Sequence, residues 1–311
     1  MAEHERPEDA LEIAPGFRCG MMALVGRPNS GKSTLINTVI GEQLCLVTPL
    51  PQTTRHNLRG IYNSEHAQLV FVDTPGIHGT GRKLNQAMVV EARGALTDEG
   101  LDLVGYVVDL GREFGEEEDT VAEMVAAAAV PVIVVFNKLD RCDDPQRRME
   151  EFRTRYPSLA NTRSVALIAT SEEARTAFLD VVVPLLPEGL PLFPPDELTD
   201  QNMRFFAAEC LRKGIILSTQ KEVPHATCVE ILEYRETPQR HVIEAVIHVE
   251  TAGQKGIIIG KGGKAIGHIR RVAEREMARL ADAPVSYHCH VKISPKWRDK
   301  PGFLRAIGYR I

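Results

Sequence analysis

Gly26-Arg27-Pro28-Asn29-Ser30-Gly31-Lys32-Ser33 fits the phosphate-cradling pattern G-x-x-x-x-G-K-[ST] at every fixed position. It follows a short apolar run, Met21 to Val25, and opens a helical stretch through Thr34, Leu35 and Ile36. Strand, loop, helix is the context this chemistry needs. The glycines let backbone N–H groups wrap phosphates, Lys32 supplies a point charge to the β- and γ-phosphates, and the Ser33 hydroxyl suits Mg²⁺. Asp73-Thr74-Pro75-Gly76 follows a second apolar run. There Asp73 is placed to hold Mg²⁺ through water, and the Gly76 N–H to sense the γ-phosphate. Asn137-Lys138-Leu139-Asp140 follows a further apolar run, Val132 to Phe136. The Asp140 carboxylate can accept from both the ring N–H and the exocyclic amine of guanine, a donor pair that adenine lacks. Asn137 could complement the base edge, and the stem of Lys138 could cover its face.

Three further features shape the expected reaction. Pro49 to Arg55 reads as a mobile effector loop whose threonine, taken as Thr54 with Thr53 the alternative, completes the Mg²⁺ shell when triphosphate is bound. Lys32, Thr54 and Gly76 are then the residues nearest the chemistry. Ile77 stands where Ras-like GTPases carry a glutamine that orients water, and an aliphatic side chain cannot do that. Slow intrinsic hydrolysis, suited to a timed switch, is expected. Ala169-Thr170, with one residue either way left open, resembles in degraded form the fifth motif of GTPases, and that resemblance implies a backbone N–H contact to guanine.

A second constellation lies far along the chain. Gly256-Ile257-Ile258-Ile259-Gly260-Lys261-Gly262-Gly263-Lys264 joins an apolar run to a G-x-x-G loop. In KH modules such a loop approaches the backbone of about four single-stranded nucleotides. Lys261 and Lys264 would neutralise phosphate there. Charge agrees: residues 1–200 hold 18 Lys and Arg against 31 Asp and Glu, while residues 201–311 hold 19 against 11, so a net charge of −5 conceals a front of −13 and a back of +8. A polyanion would meet the back.

The elements that must position these residues follow from pattern. A length of 311 residues with 43% hydrophobic and 25% charged residues is that of an ordinary globular chain of two domains. Apolar runs at Met21–Val25, Leu69–Val72, Leu103–Val108, Val132–Phe136 and Val165–Ala169 alternate with helical stretches near 32–40, 82–96, 115–129, 144–156 and 172–186. That order predicts a doubly wound, mostly parallel α/β domain. Six prolines and glycines from Pro184 to Pro195 then mark a linker. Beyond it, a helix at 201–218, strands at 227–235 and 241–250, a glycine-rich turn, a helix at 264–281 and a strand at 285–292 predict a small α+β domain. The resulting division is a polar tail at 1–18, an α/β domain at 19–186, a linker at 187–200 and an RNA-binding domain at 201–311. Six scattered cysteines indicate neither disulfides nor zinc, and alternation sets Cys289 opposite His288 and His290. No stretch is long enough to span a bilayer and the N-terminus is acidic, so a cytoplasmic protein is expected.

These motifs in this order resemble the Era/TrmE branch of translation-factor-class GTPases, where P-N-S-G-K-S and T-T-R are typical. From about Gly20 onward, including Leu198-Thr199-Asp200 and Lys296-Trp297-Arg298, the chain resembles the bacterial ribosome-assembly Era family. The resemblance implies a P-loop GTPase domain followed by a type II KH domain. It implies slow GTP hydrolysis to GDP with Mg²⁺, and a potassium ion held by Asn29 that offsets transition-state charge. It also implies a monomer that binds near the 3′ end of 16S ribosomal RNA, acts in 30S subunit maturation, and associates peripherally with the inner membrane face. Lys296, Trp297 and Arg298 could meet RNA or cap the KH domain. A tRNA-modifying relative would need a further catalytic domain, a tandem GTPase a second P-loop, and a passive RNA chaperone would not need intact Lys32, Asp73 and Asp140.

Overall fold

The computed structural model describes residues 14–48, 55, 57–76, 83–97 and 99–307. The first part is a six-stranded sheet of β1 (Arg18–Val25), β2 (Leu58–Asn63), β3 (Ala67–Asp73), β4 (Leu103–Asp109), β5 (Val132–Asn137) and β6 (Arg163–Leu167). The order is β2-β3-β1-β4-β5-β6, with β2 antiparallel to β3 and the other pairs parallel. Helices α1 (Lys32–Ile40), α2 (Lys83–Leu96), α3 (Glu116–Ala126), α4 (Pro145–Arg155) and α5 (Glu173–Val182) alternate with the strands. Alternating side chains explain the layers: Met22 and Leu24 join the cluster holding α1 and α5, while Ala23 and Val25 join the one beneath α2, α3 and α4. Helices on both faces account for strands such as β3 and β4 that are buried at every position. The antiparallel edge strand β2 was not expected. Arg59, Gly60 and Asn63 interrupt its apolar residues, and pairing with β3 rather than local pattern makes it a strand.

The second part comprises α6 (Met203–Ser218), β7 (Cys228–Glu236), β8 (His241–Val249), α7 (Ala252–Ile259), α8 (Lys264–Ala281), β9 (Val285–Ile293) and α9 (Pro301–Ala306). Its sheet runs β7-β8-β9, antiparallel then parallel. Ile243, Ala245, Ile247 and Val249 lie on one face of β8 and are fully buried with Ile269, Ala273 and Met277 of α8. The sheet was expected to be covered on that side alone. In fact Val246 and His248 on the opposite face are buried too, and the His248 ring stands edge-on to Phe303 of α9 at 5.0 Å. Between β8 and α8 the sequence suggested only a glycine-rich turn; α7 is a helix fixed by a capping box of Thr251 and Gln254. His288 and His290 are exposed while Cys289 is partly buried, and no cluster of metal ligands occurs among the described residues. No helix there is long and apolar enough to cross a membrane.

The segment between the two parts is held along its length. The Cys19 N–H donates to Pro187 O at 3.0 Å and the Ile61 N–H to Leu198 O at 2.8 Å. Between these points buried Gln68 accepts from the N–H groups of Leu192 and Phe193 (2.7 and 3.0 Å) and donates to Phe193 O at 2.8 Å. A separate apolar cluster joins Leu84, Ala87 and Met88 of α2 to Cys228, Trp297 and Leu304 of the second part. Trp297 is fully buried and its Nε1–H donates to Ala226 O at 2.9 Å, while Arg298 pairs with Glu250. Both side chains are therefore structural, and the cap reading of Lys296-Trp297-Arg298 replaces the RNA-stacking one for those two positions.

Candidate nucleotide site and RNA groove

The loop Gly26 to Gly31 turns out of β1 at the carboxyl edge of the parallel sheet, where α/β folds gather ligands. Gly31 ends it at φ +107°, and a Cβ there would lie 2.1 Å from Asn137 Nδ2, so no larger residue fits. Asn29 also has positive φ and is exposed; Pro28 is half-buried and touches Gly76, where an added Cβ would meet Pro28 Cα at 2.8 Å. The P-loop and the Asp73–Gly76 motif are thus in contact. Lys32 is buried, its Nζ donating to the carbonyls of Gly26 (3.1 Å) and Arg27 (3.2 Å). Burial lowers its pKa to about 8, against the upward pull of Asp73 and Glu118.

Ser33 Oγ donates to Asp73 Oδ2 at 2.8 Å, and Asp73 is 1% exposed. A hydroxyl and a carboxylate converging beside a phosphate loop are hard oxygen donors of the kind Mg²⁺ takes, so these residues fit that ion. Buried Cys45 lies next to Asp73, and burial followed by the charge of Asp73 pushes its thiol well up. Thr74 is buried and donates to Leu24 O at 2.7 Å, and Pro75 is buried beside it. Thr34 is half-buried at the start of α1. Thr53, Thr54 and Ile77 lie outside the described residues.

Several expected roles change. The Arg27 side chain does not face the phosphate cradle. It is buried against Glu118, which also accepts from the Tyr106 hydroxyl at 2.6 Å, so Arg27 offers a nucleotide only its backbone. Desolvation raises the Glu118 pKa, with the Tyr106 and Arg27 contacts opposing. Asn137 was expected to complement the base edge. Its Nδ2 donates to Ser30 O (2.8 Å), and its Oδ1 accepts from the N–H groups of Lys138 (2.8 Å) and Ala169 (2.9 Å). It ties three segments together from a site that is 1% exposed. The Ala169 N–H is thereby occupied, and the Ser171 N–H donates to Ile168 O, so Thr170 carries the backbone donor between them. Asp140 is exposed, and no described residue bonds its carboxylate. Lys138 has positive φ, and its Nζ reaches both Asn29 O and Asp109 Oδ2 (2.7 Å). Asp109 and Glu118 were not singled out from the sequence. The signal for Asp109 was an acidic residue ending an apolar strand, β4, level with Asn137 in register.

In the second part α7 stops at Gly260, φ +71°, where a Cβ would meet the Ala265 Cβ at 2.6 Å. Gly262 and Gly263 also have positive φ, and α8 begins at Lys264. Lys261, Gly262 and Lys264 are exposed, as are His268, Arg270, Arg271 and Arg275 along α8. Gly256 is exposed with open space at its missing Cβ, and Ile257 is 50% exposed. Ile259 is half-buried. Ile258 is fully buried, so its side chain belongs to the core and cannot line a groove. The two parts meet at the effector segment: buried Arg55 donates through Nη1 to Thr227 O (2.8 Å) and through Nη2 to Pro224 O (3.2 Å).

Comparison with known proteins agrees with this geometry. A family model described as a 50S ribosome-binding GTPase matches residues 21–138, and a KH-domain model matches residues 222–298. GTPase Era of a Nostoc species is 36% identical, over 96% of this chain and 92% of that protein. GTPase Era of Pseudomonas fluorescens is 39% identical, over 94% and 97%. A crystal structure of an Aquifex aeolicus Era variant bound to GDP and AlF4⁻ superposes with a TM-score of 0.89 at 32% identity, covering 95% of this chain and all of that one. A structure of Era with MgGDPNP and nucleotides 1506–1542 of 16S ribosomal RNA matches with the same TM-score, identity and coverage.

Proposed function

The chain belongs to the GTPase Era family, a P-loop GTPase domain followed by a type II KH RNA-binding domain, and from that premise we propose that it is a GTP-controlled clamp on the 3′ end of 16S ribosomal RNA acting in 30S subunit maturation. We divide it as an α/β unit at 19–186, a strap at 187–200 and an RNA-binding unit at 201–311. Lys32 and the backbone of Gly26 to Thr34 hold the phosphates, Ser33, Asp73 and Thr54 serve Mg²⁺, and Gly76 senses the γ-phosphate. Asp140 selects guanine, while Lys138 and the Thr170 N–H adjoin the base. When bound, Mg²⁺ neutralises charge on the phosphate oxygens. Asn29 is assigned a potassium ion, and hydrolysis is slow. RNA lies along Gly256, Ile257, Gly260 and Gly262, with Lys261 and Lys264 on its phosphates.

Arg55 is the observation that carries the clamp. It follows Thr54 in the chain, so their Cα atoms are about 3.8 Å apart, and its guanidinium is anchored on carbonyls of the KH half. Any movement of Thr54 on binding Mg²⁺ is thus linked through one peptide bond to that anchor. Helix α2, the next helix after the Asp73–Gly76 motif, is tied in as well, through Leu84 and Met88 against Trp297 and Leu304. Coupling is reciprocal, so cognate RNA alters GTP affinity. The test measures GTP binding with and without an oligoribonucleotide of the 16S 3′ end, for the native protein and Arg55→Ala. A roughly 5-fold or larger effect that disappears in R55A, with both ligands still bound separately, supports the clamp; an RNA effect undiminished in R55A removes it.

A further inference from the structure

The lysine of the guanine motif is not free to choose its direction. Its backbone is in the left-handed region, φ +63° and ψ +44°, which side chains other than glycine adopt rarely. Its ammonium is fixed at two points, the Asn29 carbonyl of the P-loop and the Asp109 carboxylate at the end of β4. Asp109 is itself immobile. It is 3% exposed, sits level with Asn137 in the β4–β5 register, and its second oxygen accepts from the Gly111 N–H at 3.0 Å. With its head held between the end of β4 and the P-loop, Lys138 has only its four-carbon stem left to offer a ligand.

We infer that Asp109 is a positioning residue for nucleotide recognition: it holds the Lys138 ammonium so that the stem lies as a fixed wall for the base, and it couples the base motif to Asn29 of the phosphate loop. The buried carboxylate makes this geometry one-sided. Opposite charges at 2.7 Å, one in a largely dry site, keep the ammonium from swinging out to solvent. Without Asp109 the lysine retains only a neutral carbonyl and samples other rotamers, so bound nucleotide leaves faster. The inference rests on Lys138 as the base-facing residue, and its test separates the two ideas.

The experiment is a double-mutant cycle on dissociation of fluorescent GDP from the full chain. Asp109→Asn keeps the volume and an acceptor for the Gly111 N–H while removing the charge. Lys138→Met keeps the stem and removes the ammonium. Each single change is expected to speed release about tenfold, and D109N/K138M to match K138M within about twofold, because residues acting through one contact are not additive. A double variant that releases at the product of the two single effects, near a hundredfold, overturns the inference, since Asp109 would then act independently of Lys138. Should K138M leave release unchanged, the ammonium anchor is dispensable and the inference fails, whereas Lys138→Ala, which removes the stem, tests the assignment of Lys138 to the base: unchanged release in K138A removes that assignment. If D109N folds poorly, Asp109→Ser completes the same cycle, since its hydroxyl also accepts from the N–H two residues on.

Discussion

Replacing Asn137 with alanine separates two meanings of the guanine motif. The side chain makes three bonds to backbone, to Ser30 O, Lys138 N–H and Ala169 N–H. Its removal leaves three buried groups without a partner at about 1–3 kcal/mol each. Partial access of water to the vacated volume brings the total to about 3–5 kcal/mol. For a chain of this size roughly 2–4 °C of melting temperature accompanies each kcal/mol, so nucleotide-free N137A should melt roughly 10 °C lower. Asp140→Asn is the control. No described residue bonds Asp140, so D140N should melt with the native protein and yet lose GTP affinity by about a hundredfold, as expected when a charged acceptor is taken from two donors. Calorimetry on nucleotide-free samples, paired with titration of GTP, reads both quantities. If N137A melts like the native protein while its GTP affinity falls as far as that of D140N, the brace is imaginary and Asn137 reads the base.

Other expectations follow from the same contacts. Lys32→Met should abolish GTP binding yet stabilise the nucleotide-free protein at neutral pH by about 1–3 kcal/mol, since a pKa lowered from 10.5 to about 8 means that the buried ammonium is disfavoured. The folded chain there binds protons less readily than the unfolded one, so native stability rises between about pH 8 and 10.5, and the advantage of K32M fades over that range in denaturant titrations. Gly256→Ala sits in open space within α7, so it should raise the melting temperature by a few degrees through the better helix propensity of alanine. If RNA packs against that backbone, the same change weakens oligoribonucleotide binding severalfold in filter retention, whereas unchanged binding would move the groove elsewhere. Trp297, the single tryptophan, is buried against α2 through Met88 and Leu84; its emission should shift between GDP- and GTP-bound protein, and identical spectra would mean that α2 does not transmit the nucleotide state.

Most of the architecture was legible because it rests on local rules. Helix α1 begins at the P-loop lysine and α8 spans the predicted residues, since glycines in left-handed conformations bound both starts. What escaped depended on partners distant in sequence or on competing cues. Leu58–Asn63 becomes a strand only by pairing with β3. Three consecutive isoleucines disguised α7, although Thr251 and Gln254 had the spacing of a helix cap. At the site, residue types suggested phosphate, magnesium and guanine roles, but not which side chains also brace the scaffold. Arg27, Asn137 and Ile258 all lie within motifs and all turn inward. Asp109 has no motif around it, and only the register of two parallel strands brings it level with Asn137 and within reach of Lys138.

The strap along β2 has a consequence for dissecting the molecule. Leu198 supplies an acceptor to the Ile61 N–H of what would otherwise be the bare outer strand of the sheet, and Thr199 bridges to Gly60. An uncovered outer strand is a template for pairing with a second chain. A fragment ending near residue 186 would expose that template together with the emptied acceptor of Gln68, and should associate into soluble oligomers or precipitate, whereas one extended through residue 200 should stay dispersed.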